Sequence, residues 1–316
     1  MTLTPKDRDI SLFFGSSLIN TFALAQEERF RINRFKGATA KGIGQDNNNS
    51  RMIWNIVTHK YSNESPEAII WMFGTIDCKF SYYYKLCTEH NIPDPQKTMI
   101  ECATKYIHFV SKVHTFFKGK GTKTIIIGAE PNGSPPCKTY EQCVHYCVIP
   151  ETQDNKQKIL ESIQTTHPDQ LRQIYNNTLV QLCSENGFEY ISIDDKLVNP
   201  GAIDLNTSIV IPDFTDILDM SVHLNWEANL LFYKEKLKDK NFAIETKLDL
   251  TQSRQAYLEE KTIRIKREKK SYLCRGIDSE PLKHKCQPVP HTEATHIAKK
   301  IKFIKFVPSS DTNELL

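Results

Sequence analysis

The chain has 316 residues, of which 39% are hydrophobic and 25% are charged, and its formal net charge is +3. These values are typical of a globular protein with a substantial core, and so small a charge does not indicate a nucleic-acid partner. No segment reaches the roughly 18 apolar residues that a membrane span needs, and the first residues lack the pattern of an export signal, so we expect a cytoplasmic protein.

Short apolar runs alternate with longer helical patterns over the first 240 residues. We predict strands at residues 10–14, 29–35, 68–73, 124–128 and 190–193, and helices at 18–26, 100–117, 169–186 and 224–237. Alternating strands and helices are typical of βαβ units. The sequence therefore predicts an α/β fold: a doubly wound, flavodoxin-like three-layer sandwich with a five-stranded parallel sheet.

The helix at 169–186 shows the helical period along one side. The residues predicted to face the core are Leu171, Ile174, Thr178 and Leu182, and Gly187 follows where a left-handed cap is expected.

The last part of the chain differs in composition from the rest. Residues 241–316 hold 15 Lys and Arg against 10 Asp and Glu, whereas residues 1–240 hold 26 against 28. We therefore divide the chain into an α/β domain at 1–240 and a basic, partly flexible extension at 241–316. The extension could recruit a protein partner through its positive charge.

Three predicted strands end in a glycine beside a polar side chain. These stretches are Gly15-Ser16-Ser17, Gly37-Ala38-Thr39 and Gly74-Thr75-Ile76-Asp77. Each glycine could simply form a turn, but glycine also lets the backbone approach a ligand closely. Because ligand sites in open parallel sheets form at the carboxyl ends of the strands, the three stretches together predict a site there.

In their order these motifs resemble the SGNH (GDSL-like) hydrolases. That family places a Gly-Asp-Ser nucleophile motif after strand one, an oxyanion-hole glycine after strand two, a Gly-x-x-Asn motif after strand three and a late Asp-x-x-His. The matching stretches here are Phe14–Ser17, Lys36–Thr39, Gly74–Asp77 and Asp219–His223, within residues 8 to 240. A variant with Gly-Glu-Ile-Asp-Cys-Arg in the third block is closer still to Gly74-Thr-Ile-Asp-Cys-Lys79.

The resemblance implies a role for each matching residue. Ser17 would attack an acyl carbon, His223 would take its proton, and Asp219 would orient the imidazole. The Ser17 and Gly37 N–H groups would bind the oxyanion, with Gly74 and Asp77 completing that side of the site. The implied activity is a serine esterase or O-acyl (acetyl) ester hydrolase or transferase, acting on a small-molecule or carbohydrate ester without a metal or other cofactor.

Three departures from the family pattern leave a second interpretation open. Ser16 replaces the Asp beside the nucleophile, and Asp77 replaces the Asn that donates to the oxyanion, although an ionised carboxylate only accepts hydrogen bonds. Asp219 lies four residues before His223, the three-residue position is Met220, and Asp216 is another candidate. The alternative function is a catalytically impaired binding protein that keeps the fold.

Two further clusters have alternative interpretations. Cys137, Cys143, His145 and Cys147 lack the paired Cys-x₂-Cys spacing of zinc sites, so we predict buried thiols in a helix rather than a metal site. The aromatic run Phe80–Tyr84 is predicted to pack as a helix start, or alternatively to form a wall above the site.

Overall fold

The computed structural model describes residues 10–117, 121–199, 205, 208–211, 224–246 and 249. The strands are β1 (Ser11–Gly15), β2 (Phe30–Arg34), β3 (Ala68–Met72), β4 (Lys123–Ile127) and β5 (Glu189–Ile191). The α-helices are α1 (Ala40–Ile43), α2 (Asn48–Asn55), α3 (Tyr82–Thr88), α4 (Pro95–Phe116), α5 (Thr139–His145), α6 (Gln153–Ser162), α7 (Pro168–Asn186), α8 (Asp194–Leu197) and α9 (Trp226–Lys238). A 3₁₀ helix spans Ser17–Ala25, a shorter one spans Pro136–Lys138, and π-helical turns span Ile56–Lys60 and Asp77–Ser81.

All five strands pair in parallel, in the order β2-β1-β3-β4-β5. The chain moves outward from β1 to β2, crosses back to β3 on the other side of β1, and then continues to β4 and β5. This is the order of doubly wound, flavodoxin-like sheets. The predicted fold class is therefore confirmed, and so are all five predicted strands, with ends that shift by one or two residues.

Alternation along the strands divides the core into two layers. In β1, Leu12 and Phe14 pack on one face of the sheet, and Phe13 packs on the other. The face of Leu12 is covered mainly by α4 and α7, whereas the 3₁₀ helix and α9 cover the face of Phe13. With both faces covered, the central strand β3 consists entirely of buried apolar residues, whereas the edge strand β2 is mostly polar and only partly buried.

Local signals set the ends of the two longest helices. Asp94 accepts a hydrogen bond from the Lys97 N–H, and Pro95 occupies the first position of α4. At the end of α7, Gly187 has a φ of 69°, the left-handed conformation that glycine adopts without strain. The predicted cap at this residue is confirmed.

The predicted inner face of α7 is partly wrong. Leu171 is buried, but Ile174, Thr178 and Leu182 are only partly buried. The residues buried with Leu171 along most of the helix are Arg172, Tyr175, Asn176, Leu179 and Cys183. The side of α7 that faces the core therefore includes polar residues. Their burial is tolerated because their side chains form hydrogen bonds inside the protein.

Packing continues beyond α9. Phe242 and Ile244 are buried, and the ring of Phe242 lies 6.1 Å from that of Phe30 and 6.4 Å from that of Phe13. The chain therefore remains part of the core at least as far as Ile244. The rest of the basic extension, apart from residues 245, 246 and 249, lies outside the described residues, and none of the described helices is long and apolar enough to cross a bilayer.

Candidate active site

The turn after β1 lies between the ends of β2 and β3. Gly15 pairs with Arg34 on one side and with Met72 on the other. The Phe35 N–H donates to the Gly15 carbonyl (2.8 Å), and the Ser16 N–H donates to the Met72 carbonyl (3.2 Å). The three glycine-containing stretches of the sequence therefore follow three adjacent strands at one edge of the sheet.

Ser17 is the first residue of the 3₁₀ helix and is half-buried. Ser16, just before it, is buried and extended, and its side chain makes no capping bond to the helix. The turn is tight: a Cβ on Gly15 would lie 2.7 Å from the Ile19 Cβ and 2.9 Å from the Met72 carbonyl oxygen. A strand-to-helix turn of this kind places a serine and its N–H at the carboxyl edge of the sheet, where the positive end of the helix favours a developing oxyanion.

Gly37 lies in the exposed loop that follows β2. Its φ of 71° is in the left-handed region. Two residues later the Thr39 hydroxyl accepts a hydrogen bond from the Gly42 N–H (2.9 Å) and caps α1. The loop therefore turns sharply at Gly37 and enters α1 directly.

The side chain of Asp77 connects the end of β3 to this loop. Its Oδ2 accepts from the Ala40 N–H (2.6 Å) and its Oδ1 from the Lys41 N–H (3.2 Å), and the side chain is completely buried. Burial raises the pKa of Asp77 to about 6, although the two backbone N–H groups and the Cys102 thiol favour the ionised form. Both carboxylate oxygens are thus used to hold the start of α1.

Gly74 is the turn residue after β3. Its φ is 110°, which side chains other than glycine rarely adopt, and a Cβ at this position would overlap the ring of Tyr175. The Tyr175 hydroxyl donates to the Phe73 carbonyl (3.3 Å). Gly74 is therefore required by the close packing of α7 on the β3 turn.

Sequence reasoning missed a buried polar cluster at the ends of β3 and β4. The Oε1 of Glu130 accepts from the Tyr233 hydroxyl (2.7 Å) and from the Asn229 Nδ2 (3.0 Å), and the Glu130 N–H donates to the Thr75 Oγ1 (3.1 Å). Burial raises the pKa of Glu130 and lowers that of Lys79, and the attraction between their charges opposes both shifts. Lys79 ends the third motif block, but Glu130 lies outside every motif, so the sequence carries no signal that these two charges meet.

Arg172 extends the charged region toward β5. It is 4% exposed, and its Nε donates to the Asp169 Oδ1 at 2.7 Å, while its Nη1 pairs with the Oδ2 of Asp194. These two carboxylates raise the pKa of the Arg172 guanidinium, although burial alone would lower it. In the sequence, the burial of Arg172 was indicated only by its position next to Leu171, one of the residues predicted to face the core.

Two of the predicted catalytic residues, Asp219 and His223, lie outside the described residues, as does Asp216. The described chain resumes at Leu224, which is buried, and α9 starts at Trp226. The Trp226 carbonyl accepts a hydrogen bond from the Thr21 hydroxyl (2.6 Å) in the helix that begins at Ser17. Residues that follow closely after position 223 thus contact the Ser17 helix.

The predicted burial of the cysteines and of the aromatic run is confirmed only in part. Cys143 is buried in α5, as predicted, but Cys147 is exposed beyond the helix and Cys137 is only partly buried, so the predicted burial is wrong for these two. Among the described residues, no three His, Cys, Asp or Glu side chains are placed to hold a metal ion. In the aromatic run, Tyr82 and Tyr83 are buried, which confirms helix packing, whereas Tyr84 is half exposed.

Comparison with known proteins gives only distant similarities. No family model and no curated protein matches the sequence. Among solved structures, a GDSL-like lipase from Bacteroides thetaiotaomicron is 11% identical with a TM-score of 0.41, over 76% of this chain and 91% of the lipase. A carbohydrate acetylesterase family member from Sinorhizobium meliloti is 11% identical with a TM-score of 0.41, over 74% and 97%. An extracellular lipase from Streptomyces rimosus is 10% identical with a TM-score of 0.39, over 73% and 99%. Similarity at this level transfers neither an activity nor a residue role to this chain.

Proposed function

We propose that the protein is a serine esterase, an O-acyl ester hydrolase or transferase, with Ser17 as its nucleophile. The observation that carries the proposal is the meeting of three glycine turns at one sheet edge, with the Ser17 turn hydrogen-bonded between the other two strands. Gly37 adjoins one of these strands and Gly74 the other. A half-buried serine at the start of a helix has the setting of a nucleophile whose oxyanion binds to backbone N–H groups.

The proposed reaction is acyl transfer through the serine. The Ser17 Oγ bonds to the acyl carbon while its proton passes to His223, held in orientation by Asp219. The oxyanion is stabilised by the N–H groups of Ser17 and Gly37, and its collapse expels the alcohol, which takes the proton from His223. Water, or a second alcohol in a transferase, then bonds to the acyl carbon while His223 takes its proton. The bond from that carbon to the Ser17 Oγ breaks, and Ser17 regains the proton from His223.

Asp77 takes a different role in this proposal from that of the family's asparagine. Because both of its oxygens accept N–H groups of α1, it holds the loop that carries Gly37 against the end of β3. It therefore positions one oxyanion donor instead of donating itself. The loss of one donor typically costs about 10²–10³ in rate, so we expect a slow esterase that acts on activated or small esters, such as acetylated sugars.

The test is hydrolysis of 4-nitrophenyl acetate together with labelling by a fluorophosphonate probe. Ser17→Ala should remove the label and reduce hydrolysis to near the uncatalysed rate, and His223→Ala should slow both by on the order of 10³-fold or more. The control is Ser111→Ala in α4, which removes hydrogen bonds to the Ile107 carbonyl (2.8 Å) and to the Asn186 Oδ1 (3.1 Å) and leaves the Ser17 turn intact. Equal hydrolysis by wild type and Ser17→Ala would show that the proposed nucleophile is wrong.

A second candidate function is binding without catalysis, and the geometry of Asp77 favours it. A buried carboxylate occupies the position of an expected donor, and a negative charge beside the acyl oxygen opposes an oxyanion. A binding protein would bind sugar or acetyl esters without turnover and would leave Ser17 unlabelled. Labelling of Ser17 that disappears in His223→Ala would exclude this function.

A further inference from the structure

Glu130 is a buried carboxylate at the end of β4 that the proposed acyl transfer does not use. Only 3% of the residue is exposed, and the two side-chain donors to its Oε1, Asn229 and Tyr233, are also buried. Both donors belong to α9 and lie one turn apart. The carboxylate therefore binds one face of α9 at two successive turns.

Glu130 also contacts the turn that follows β3. Its N–H donates to the Thr75 hydroxyl in the β3 turn, next to Gly74. Lys79 lies on the following π-helical turn, and its positive charge stabilises the Glu130 carboxylate against the cost of burial. Asp194 acts in the opposite direction. Glu130 thus connects α9 to the ends of both β3 and β4.

Helix α9 is also attached to the helix that begins at Ser17. The Thr21 hydroxyl donates to the Trp226 carbonyl at 2.6 Å, and the rings of Phe22 and Tyr233 lie 5.3 Å apart. The orientation of α9 on the sheet therefore affects the position of the helix that begins at Ser17.

We propose that Glu130 is a positioning residue: by holding Asn229 and Tyr233, it fixes α9 and, through the contacts of α9 with Thr21 and Phe22, the helix that places Ser17. The inference rests on the proposed function, since it takes Ser17 as the nucleophile. Glu130 itself touches neither the nucleophile nor the substrate in this scheme. Misplacing a catalytic group by about 1 Å can cost on the order of 10²-fold in rate, so a small rotation of α9 is enough to be measured.

The decisive variant is Tyr233→Phe, which keeps the ring packing and removes one of the two hydrogen bonds to Glu130. Its matched control is Tyr83→Phe, another buried tyrosine, whose hydroxyl donates to the Thr166 carbonyl (2.9 Å) on the other face of the sheet. Glu130→Ala removes the acceptor entirely, and Glu130→Gln restores an oxygen in its place. For each protein, the rate of fluorophosphonate labelling at Ser17, kcat and KM for 4-nitrophenyl acetate, and hydrogen exchange of the α9 amides are measured.

We expect Tyr233→Phe to slow labelling and kcat by about 10-fold with KM unchanged, and to increase exchange in the first turns of α9. Glu130→Ala should have a larger effect, Glu130→Gln should return to within about threefold of wild type, and Tyr83→Phe should match wild type. Wild-type labelling rates in Tyr233→Phe, or equal slowing in Tyr83→Phe, would overturn the positioning role. If wild type itself is not labelled, the proposed function fails, and hydrogen exchange alone decides: faster exchange in α9 supports anchoring by Glu130, and unchanged exchange overturns it.

Discussion

Replacement of Asp77 by Asn tests the cost of burying a charge at the junction of β3 and α1. Burial raises the pKa of this carboxyl from 3.8 to about 6. The folded protein therefore binds its proton more tightly than the unfolded chain does, and stability decreases as the pH rises through this interval. One pKa unit corresponds to about 1.4 kcal/mol, so the ionised carboxylate costs about 3 kcal/mol at pH 7.5 relative to strongly acidic solution.

The variant removes this pH dependence but introduces a constant cost. The Asn oxygen can accept from the Ala40 N–H, while its amide group faces the Lys41 N–H and cannot accept, at a cost of about 1–3 kcal/mol at every pH. Relative to wild type, Asp77→Asn should thus gain about 2–3 kcal/mol of stability between pH 4 and pH 7.5. The prediction is therefore tested by how the difference in unfolding free energy between Asp77→Asn and wild type changes with pH, and not by its value at any single pH.

The assay is urea unfolding followed by circular dichroism at several pH values from 4 to 7.5, with the free energy of unfolding compared at each pH. The control is Asp46→Asn, because Asp46 is exposed and its pKa is lowered by the hydrogen bond from Arg51. That variant should not reproduce the relative gain at neutral pH. A difference between Asp77→Asn and wild type that stays constant across the range would refute the assignment of a buried, raised-pKa carboxylate.

Further substitutions test the packing around the site by urea unfolding. Gly74→Ala should lower the free energy of unfolding by about 2–4 kcal/mol, because alanine is strained at a φ of 110° and its methyl group overlaps the ring of Tyr175. Gly187→Ala should lower it by only about 1 kcal/mol, because its φ is 69° and the added methyl group contacts nothing within 4 Å. Equal losses would argue against the close approach of Tyr175. Arg172→Met should lose about 3–5 kcal/mol because it leaves the buried Asp169 carboxylate without its cation, and a variant with wild-type stability would show that this pair is dispensable.

Much of the fold could be predicted from local patterns. The runs at residues 68–73 and 124–128 are short, rich in β-branched or aromatic residues, and bounded by turn residues, so they predict strands whatever their neighbours are. Gly187 ends α7 because only glycine adopts its backbone conformation without strain. The parallel order followed from the spacing of strands and helices, because crossover connections favour neighbouring parallel strands.

The candidate site could be predicted only in part. Ser17, Gly37 and Gly74 carry sequence signals, since each follows directly from a strand end, and the fold brings those ends together. The sequence indicated that Asp77 was unusual, but not that its oxygens hold the start of α1, because a side chain and a backbone 37 residues apart are joined only by tertiary packing.

The sequence by itself determined the period of the strands, the caps of the helices and the glycine turns, all of which depend on backbone preferences within a few residues. Only the tertiary structure decided which polar side chains are buried, and therefore that α7 faces inward with Arg172 and Tyr175 and that Glu130 binds α9. The physical reason is that burial of a polar group is tolerated only where partners from distant segments meet it. A periodic pattern of apolar residues can be read from neighbouring residues, but partners from distant segments cannot be predicted from them.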